Sequence, residues 1–262
     1  MDVADAEAPL GSRPSECPQT RLIAHRGRAG DDPENTVEAI PGLPPWVDGV
    51  EVDVRRRSDG VCILMHDAKV DRTTTGKGRV ESLDRTGLKK LRVDGWARIP
   101  TLKRYLEAAA KTWLDQVLID VKESSVAAAE AAAEVATASR AVPRCVLLVR
   151  AIEQLEAVRA SHPDLRIGYL GLTHENAESR FEAAKAHAVE VMLIYPGDRE
   201  YLDNRGLVAR GRACGIAVGA STINGDAALA AAYEDECALV LTDRIVEVGS
   251  RHITSCTTTP AT

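Results

Sequence analysis

The stretch VLIDVKESSVAAAEAAAEVATASRAVPRCVLLV, residues 117–149, carries the pattern that decides the fold. Residues 117–121 form an apolar run of strand length. An alanine-rich segment at 126–138 reads as a helix, and residues 145–149 form a second apolar run. Strand, helix, strand in this order predicts two parallel strands joined by a crossover helix. The order repeats in both directions along the chain. Further strands are expected at 21–25, 50–54, 166–170, 189–194, 216–219 and 239–241, and another helix at 152–160. Eight strands alternating with helices predict an α/β fold closed as a (β/α)8 TIM barrel.

Composition agrees with one such domain. The chain has 262 residues and is 45% hydrophobic, enough to fill a sizeable core and to exclude global disorder. A net charge of -6 points away from nucleic acid and from an anionic membrane surface. Aromatic residues make up only 3%, which argues against stacking on bases or insertion into lipid. None of the six cysteines (17, 62, 145, 214, 237 and 256) forms a CxxC pair, and Cys62 and Cys145 fall in strand-like runs. They read as core residues of a protein in a reducing cytoplasm. The acidic start lacks the apolar segment of a signal peptide, and no run approaches a membrane span. Residues 1–20 and 251–262 are expected to be flexible tails around a single domain at 21–250.

Three connections break the pattern. Between the first two strands, Pro41, Pro44 and Pro45 leave room for a short helix only. After the second strand, RRSDGVCILMHD reads as a hairpin turning at Asp59-Gly60 and returning over 61–66, outside the eight. Residues 68–113 are then too many for an ordinary loop and are expected as an insertion at the barrel mouth.

Barrel chemistry sits where the strands end. The first strand ends in His25-Arg26, and the returning hairpin strand ends in His66-Asp67. Glu51 and Asp53 on the second strand, spaced by two, share a face; so do Asp120 and Lys122 on the third. Carboxylates pointing into a barrel need a counter-charge. Three of them suit a hard divalent cation, Mg²⁺ or Ca²⁺. Arg26 and Lys122 beside them invite a phosphate, and two histidines can move protons on opposite sides of a phosphorus centre. Each feature alone has a plainer explanation: a strand-end histidine that only hydrogen-bonds, an exposed EVD face, a surface ion pair at DVK. Their convergence on one barrel mouth favours chemistry. Gly27 and Gly30 let the backbone turn close to a ligand, while Asn35 or Thr36 caps the short helix that follows.

These residues resemble a known family. AHRG (24–27), PENT (33–36), VEVDV (50–54), SDGV (58–61), MHD (65–67), DRTTTGKG (71–78), IPTL (99–102), LIDVK (118–122) and LTDR (241–244) stand in the order found in glycerophosphodiester phosphodiesterases. The resemblance is dense up to Leu102 and thinner beyond. It implies a TIM barrel with a small insertion, and a metal-dependent hydrolase that splits a glycerophosphodiester into glycerol 3-phosphate and an alcohol. By resemblance, His25 and His66 are the acid/base pair, Glu51 and Asp53 are metal ligands, and Arg26 and Lys122 contact phosphate. The third ligand, a glutamate in the family's IEIK-like motif, is matched here by the shorter Asp120, and Mn²⁺ joins Mg²⁺ and Ca²⁺ as a candidate ion. Where the family has a tryptophan facing glycerol, GASTING (219–225) places Ser221, so Ser221 and Asn224 become candidate pocket residues.

The reading expects a small-molecule phosphodiester as substrate, no nucleic acid and no stable membrane association. It leaves open the alcohol, the nucleophile (water or a substrate hydroxyl), which histidine is the acid, and the oligomeric state. A diesterase for a sugar or secondary-metabolite diester, a sphingomyelinase or phospholipase D-like enzyme, and a non-catalytic barrel that binds a phosphorylated metabolite remain alternatives.

Overall fold

The computed structural model describes residues 20–249, so the expected tails lie, but for Thr20, outside the described residues. Eight parallel strands close into a barrel: β1 (Arg21–Ala24), β2 (Gly49–Arg56), β4 (Gln116–Val121), β5 (Cys145–Val149), β6 (Arg166–Leu172), β7 (Val191–Ile194), β8 (Ala217–Ala220) and β9 (Leu239–Thr242). Pairing of β1 with both β9 and β2 closes the ring. The ninth strand, β3 (Cys62–Leu64), pairs antiparallel with the far end of β2, Val54 opposite Leu64. It is the return arm of the expected hairpin.

Alternation along the strands sorts the side chains. Val50, Val52 and Val54 join the core between barrel and helices, which leaves Glu51 and Asp53 for the other face. The barrel interior is a separate apolar cluster that includes Ile23, Leu118, Leu148, Leu170, Leu193 and Leu241. Helix α3 (Val126–Thr137), capped by Ser125 Oγ accepting from the Ala128 amide at 3.3 Å, buries five alanines. Their small side chains let the helix lie close to the strands. Where the prolines fall between β1 and β2, the helical structure is one 3-10 turn, Ile40–Gly42, shorter than the expected helix.

The expected insertion divides in two. Its first part supplies Val70, Val80, Leu88, Val93, Ala97 and Ile99 to a small separate core, which Ile63 and Met65 of the preceding hairpin arm complete. It includes α1 (Arg85–Lys90), whose N-cap Asp84 accepts from the Gly87 amide at 2.6 Å. Helix α2 (Leu102–Ala109), capped by Thr101, instead buries Leu102, Tyr105, Leu106 and Ala109 in the main core. It is the barrel helix of this unit, because its apolar residues recur at helical spacing toward the strands.

Cys62, Cys145 and Cys237 are buried free thiols, each pushed up to about 12 chiefly by burial. That agrees with reading Cys62 and Cys145 as core residues. Cys17 and Cys256 lie outside the described residues. No helix among the described residues is long and apolar enough to cross a membrane.

Candidate active site

His25 lies just past the end of β1, in a 3-10 turn (His25–Gly27), where the sequence pattern had continued the strand. The turn places Arg26 at φ 56° and Gly27 at φ +61°. A Cβ on Gly27 would also overlap the Tyr105 hydroxyl. Gly27→Ala therefore combines a left-handed backbone with a clash and is expected to cost about 2–4 kcal/mol. Urea denaturation of the two proteins checks this.

Both histidines have a carboxylate behind them. His25 Nδ1 lies 2.7 Å from Asp243 Oδ1, and His66 Nδ1 lies 2.7 Å from Asp67 Oδ1. With Nδ1–H donated to the carboxylate, each ring keeps Nε2 free for other partners. Burial pushes Asp243 up, but the His25 hydrogen bond and the nearby Asn224 and Arg28 outweigh it and hold its carboxyl far below the usual range. Asp67 behaves alike: against the burial effect, hydrogen bonds from Arg72 and His66 bring it down to about 2. Arg72 continues the second chain to Glu34, and Glu34 also accepts from Arg26 at 2.9 Å.

Beside His25, with Glu51 Oε2 3.8 Å from its Nε2, lie the carboxylates. Asp53 and Asp120 are register partners on neighbouring strands β2 and β4, and Glu51 stands two residues before Asp53. One oxygen from each of Glu51, Asp53 and Asp120 lies within 4.8 Å of the others, and all three residues are buried. Burial, then Asp53 and Asp120 alongside, pushes Glu51 well above the usual carboxylate range. Asp120 goes the other way: burial raises it, but hydrogen bonds and charge from Arg150 and Lys122 pull it below its ordinary value. Asn35 clamps Asp53, donating from Nδ2 to Oδ2 at 2.8 Å and accepting the Asp53 amide at Oδ1 at 2.9 Å. Asp53 Oδ1 makes no hydrogen bond and has the Lys122 ammonium 3.2 Å away. An all-oxygen set, with one carboxylate held against ionisation and one oxygen lacking a hydrogen bond, fits a hard divalent cation.

A cavity of about 200 Å³ opens at this end of the barrel, lined among others by His25, Arg26, Glu51, His66, Asp120 and Lys122. Its other walls include Leu148, Leu170, Tyr195 and Ser221. Six of the expected catalytic, metal and phosphate residues thus meet in one cavity, with Asp53 packed against them. Lys122 Nζ lies 3.1 Å from Asp120 Oδ2 as well as near Asp53. Arg26 faces Glu34 and, at 3.7 Å, Asp53, while its backbone amide donates to Glu51 at 3.0 Å. Ser221 is buried at the cavity wall. Asn224 is not on that wall: its side chain donates to Asp243 Oδ2 at 2.9 Å and accepts the Asp243 amide at 3.0 Å. It supports the partner of His25 instead of lining the pocket. Asn35, expected as a helix cap, orients Asp53; Thr36 alone keeps a cap-like role, accepting the Ala39 amide at 3.3 Å.

Several working residues escaped the sequence reading: Asp243, Asp67, Glu34, Arg72 and Arg150. All but Arg150 stood inside quoted motifs: Glu34 in PENT, Asp67 in MHD, Arg72 in DRTTTGKG and Asp243 in LTDR. For Asp67 and Asp243 the signal is an aspartate flanking a histidine or following a barrel strand.

The fold and site together define a (β/α)8 barrel that carries its polar cluster at the mouth: three buried carboxylates beside two histidines, each backed by an aspartate. The model of the glycerophosphoryl diester phosphodiesterase family matches residues 25–247, and the chain belongs to that family. Among curated relatives, mouse glycerophosphodiester phosphodiesterase 1 is 41% identical over 110 residues, covering 38% of this chain and 33% of the relative. The glycerophosphodiester phosphodiesterase of Caldanaerobacter subterraneus is 38% identical over 97 residues, covering 34% of this chain and 40% of the relative. The matched stretch thus spans well under half the length of either. A solved phosphodiesterase of Oleispira antarctica, in complex with the product sn-glycerol-3-phosphate, superposes with a TM-score of 0.76 at 23% identity over 88% of this chain and 95% of that one. A glycerophosphodiester phosphodiesterase of Thermotoga maritima gives 0.69 at 21% identity, over 88% and 98%. At these identities the structural matches establish the fold, and they agree with the expected barrel.

Proposed function

We propose that the chain hydrolyses a glycerophosphodiester to glycerol 3-phosphate and an alcohol, with His25 and His66 as the acid/base pair. The observation that carries this reading is the cavity into which both histidines, two carboxylates and two cations converge. Glu51, Asp53 and Asp120 are the residues that would hold a divalent cation, Mg²⁺, Ca²⁺ or Mn²⁺. Such an ion supplies charge neutralisation at a non-bridging phosphate oxygen. Arg26 and Lys122 add fixed positive charge for the diester. Of the two rings, one takes a proton from the nucleophile through Nε2 and the other gives one to the leaving oxygen. Asp243 and Asp67 keep each ring in the tautomer that leaves Nε2 available.

The cavity is small beside the roughly 300–1,000 Å³ of sites for drug-sized ligands, which favours a compact group such as glycerol phosphate. A second reading keeps the reaction and changes the alcohol. Tyr195 on the wall, and the Ser221 and Thr222 hydroxyls 3.4 Å apart, suit a polar alcohol such as a sugar. Turnover screening of glycerophosphodiesters against other phosphodiesters, with each of the three ions, separates the two. Absence of turnover on all of them, and on bis(p-nitrophenyl) phosphate, would leave a binding protein. The reading also takes the protein to be cytoplasmic, with no nucleic acid or stably bound membrane as partner.

Asp243→Asn tests the support behind His25. An amide at this place no longer fixes the Nδ1–H tautomer, so kcat is expected to fall by about 10²-fold or more. KM should change little, because Asp243 does not line the cavity. A rise in KM at unchanged kcat would place Asp243 in substrate binding instead.

A further inference from the structure

Arg150 has no part in the chemistry above, yet it is tied into the carboxylate cluster. It follows β5 by one residue and stands two beyond Leu148, the register partner of Asp120. Both terminal nitrogens grip Asp120: Nη1 donates to Oδ1, and Nη2 donates to Oδ2 at 2.8 Å. Nη1 also donates to the Val121 carbonyl at 2.7 Å. The backbone beneath is held as firmly. Gln154, fully buried, accepts the Arg150 and Ala151 amides at 3.1 and 3.2 Å and donates to the Glu123 and Ser125 carbonyls at 2.7 and 3.2 Å. Asp120 lines the cavity and Arg150 does not, so the grip is made from outside it. A guanidinium so committed has little left to offer a substrate phosphate.

It brings a charge as well as hydrogen bonds. Asp53 and Asp120 are met by three cations: Lys122 lies near both, Arg26 lies 3.7 Å from Asp53 and Arg150 sits on Asp120. Arg150 adds a fixed positive charge directly against the Asp120 carboxylate. A divalent cation entering the cluster meets a carboxylate whose charge is already offset by a neighbour it cannot displace. Over a few ångströms in a partly buried site, one fixed positive charge opposes such an ion strongly.

We propose that Arg150, through its charge against Asp120, keeps a divalent cation at this cluster weakly bound and exchangeable. The proposal rests on the reading that Glu51, Asp53 and Asp120 hold a divalent cation. Calorimetric titration of Mn²⁺ into chelator-treated full-length protein tests it, using wild type, Arg150→Gln, Arg150→Lys and Glu51→Gln. Arg150→Gln, which removes the charge, is expected to bind Mn²⁺ about tenfold more tightly or better. Arg150→Lys, which keeps the charge and loses the fork, should stay within about threefold of wild type. Unchanged or weaker binding by a folded Arg150→Gln protein overturns the proposal. If that variant does not fold, a tenfold change in either direction in Arg150→Lys overturns it, because hydrogen-bond geometry rather than charge then sets the affinity. Wild type that binds no Mn²⁺, or binds it as Glu51→Gln does, refutes the metal reading itself, and the proposal falls with it. Wild-type binding lost in Glu51→Gln upholds that reading whatever the Arg150 variants do.

Discussion

Replacing His66 by alanine is expected to lower kcat on the hydrolysed diester by about 10²–10⁴-fold, with a similar loss for His25→Ala. Both rings are cavity residues with Nδ1 committed to an aspartate, so each presents one nitrogen to a bound phosphate. Neither side chain belongs to the apolar core, and alanine should leave the fold intact. Because acid and base act on the same displacement, the double variant should be little worse than the worse single one. Multiplying losses would mean that the two histidines work independently. Near wild-type kcat in either single variant, with an unchanged circular dichroism spectrum, would remove that histidine from the mechanism.

Glu51→Gln should separate stability from activity. Glu51 is fully buried, and Asp53 and Asp120 add to the burial that raises its pKa. The folded protein without metal therefore holds the Glu51 proton more tightly than the unfolded chain. Stability from this group is fully present below the ordinary glutamate range and is lost as pH rises through the raised folded value. The amide carries no charge, so metal-free Glu51→Gln should lack that loss and melt no lower than wild type near neutral pH. Added Mn²⁺ reverses the order. An ion at a hundredfold excess over its Kd stabilises wild type by about 2.7 kcal/mol, while the variant should gain almost nothing. Loss of the ion's charge neutralisation, worth several kcal/mol, corresponds to roughly 10³-fold in turnover. Thermal melts with and without Mn²⁺, at two pH values, test the account. Equal Mn²⁺ stabilisation of both proteins would place the ion elsewhere.

Most of the barrel was legible because its signals are local. Short apolar runs separated by alanine-rich helices imply parallel strands, and the spacing of Glu51 and Asp53 assigns both to one face whatever the topology. Strand ends were less legible: His25 directly follows the apolar run 22–24 and reads as its last residue, but the left-handed turn at Arg26 and Gly27 stops the strand at Ala24. The supports of the site were the least visible. Asp243 reaches His25 across 218 positions because β9 closes the barrel against β1, and Arg150 reaches Asp120 from the next strand. Pairings of this kind depend on register, and register is set by the packed barrel. Asn224 shows the opposite error: a polar residue near a predicted pocket turned out to serve the residue behind the histidine.

The central claim is most directly tested by incubating the protein with sn-glycero-3-phosphocholine and following glycerol 3-phosphate by phosphorus NMR, with Mg²⁺, Ca²⁺ or Mn²⁺ present and again with excess EDTA. The account predicts that glycerol 3-phosphate accumulates with at least one of the ions, stops forming in EDTA, and does not form with Glu51→Gln. Release that continues undiminished in EDTA, or in the Glu51 variant, would contradict it.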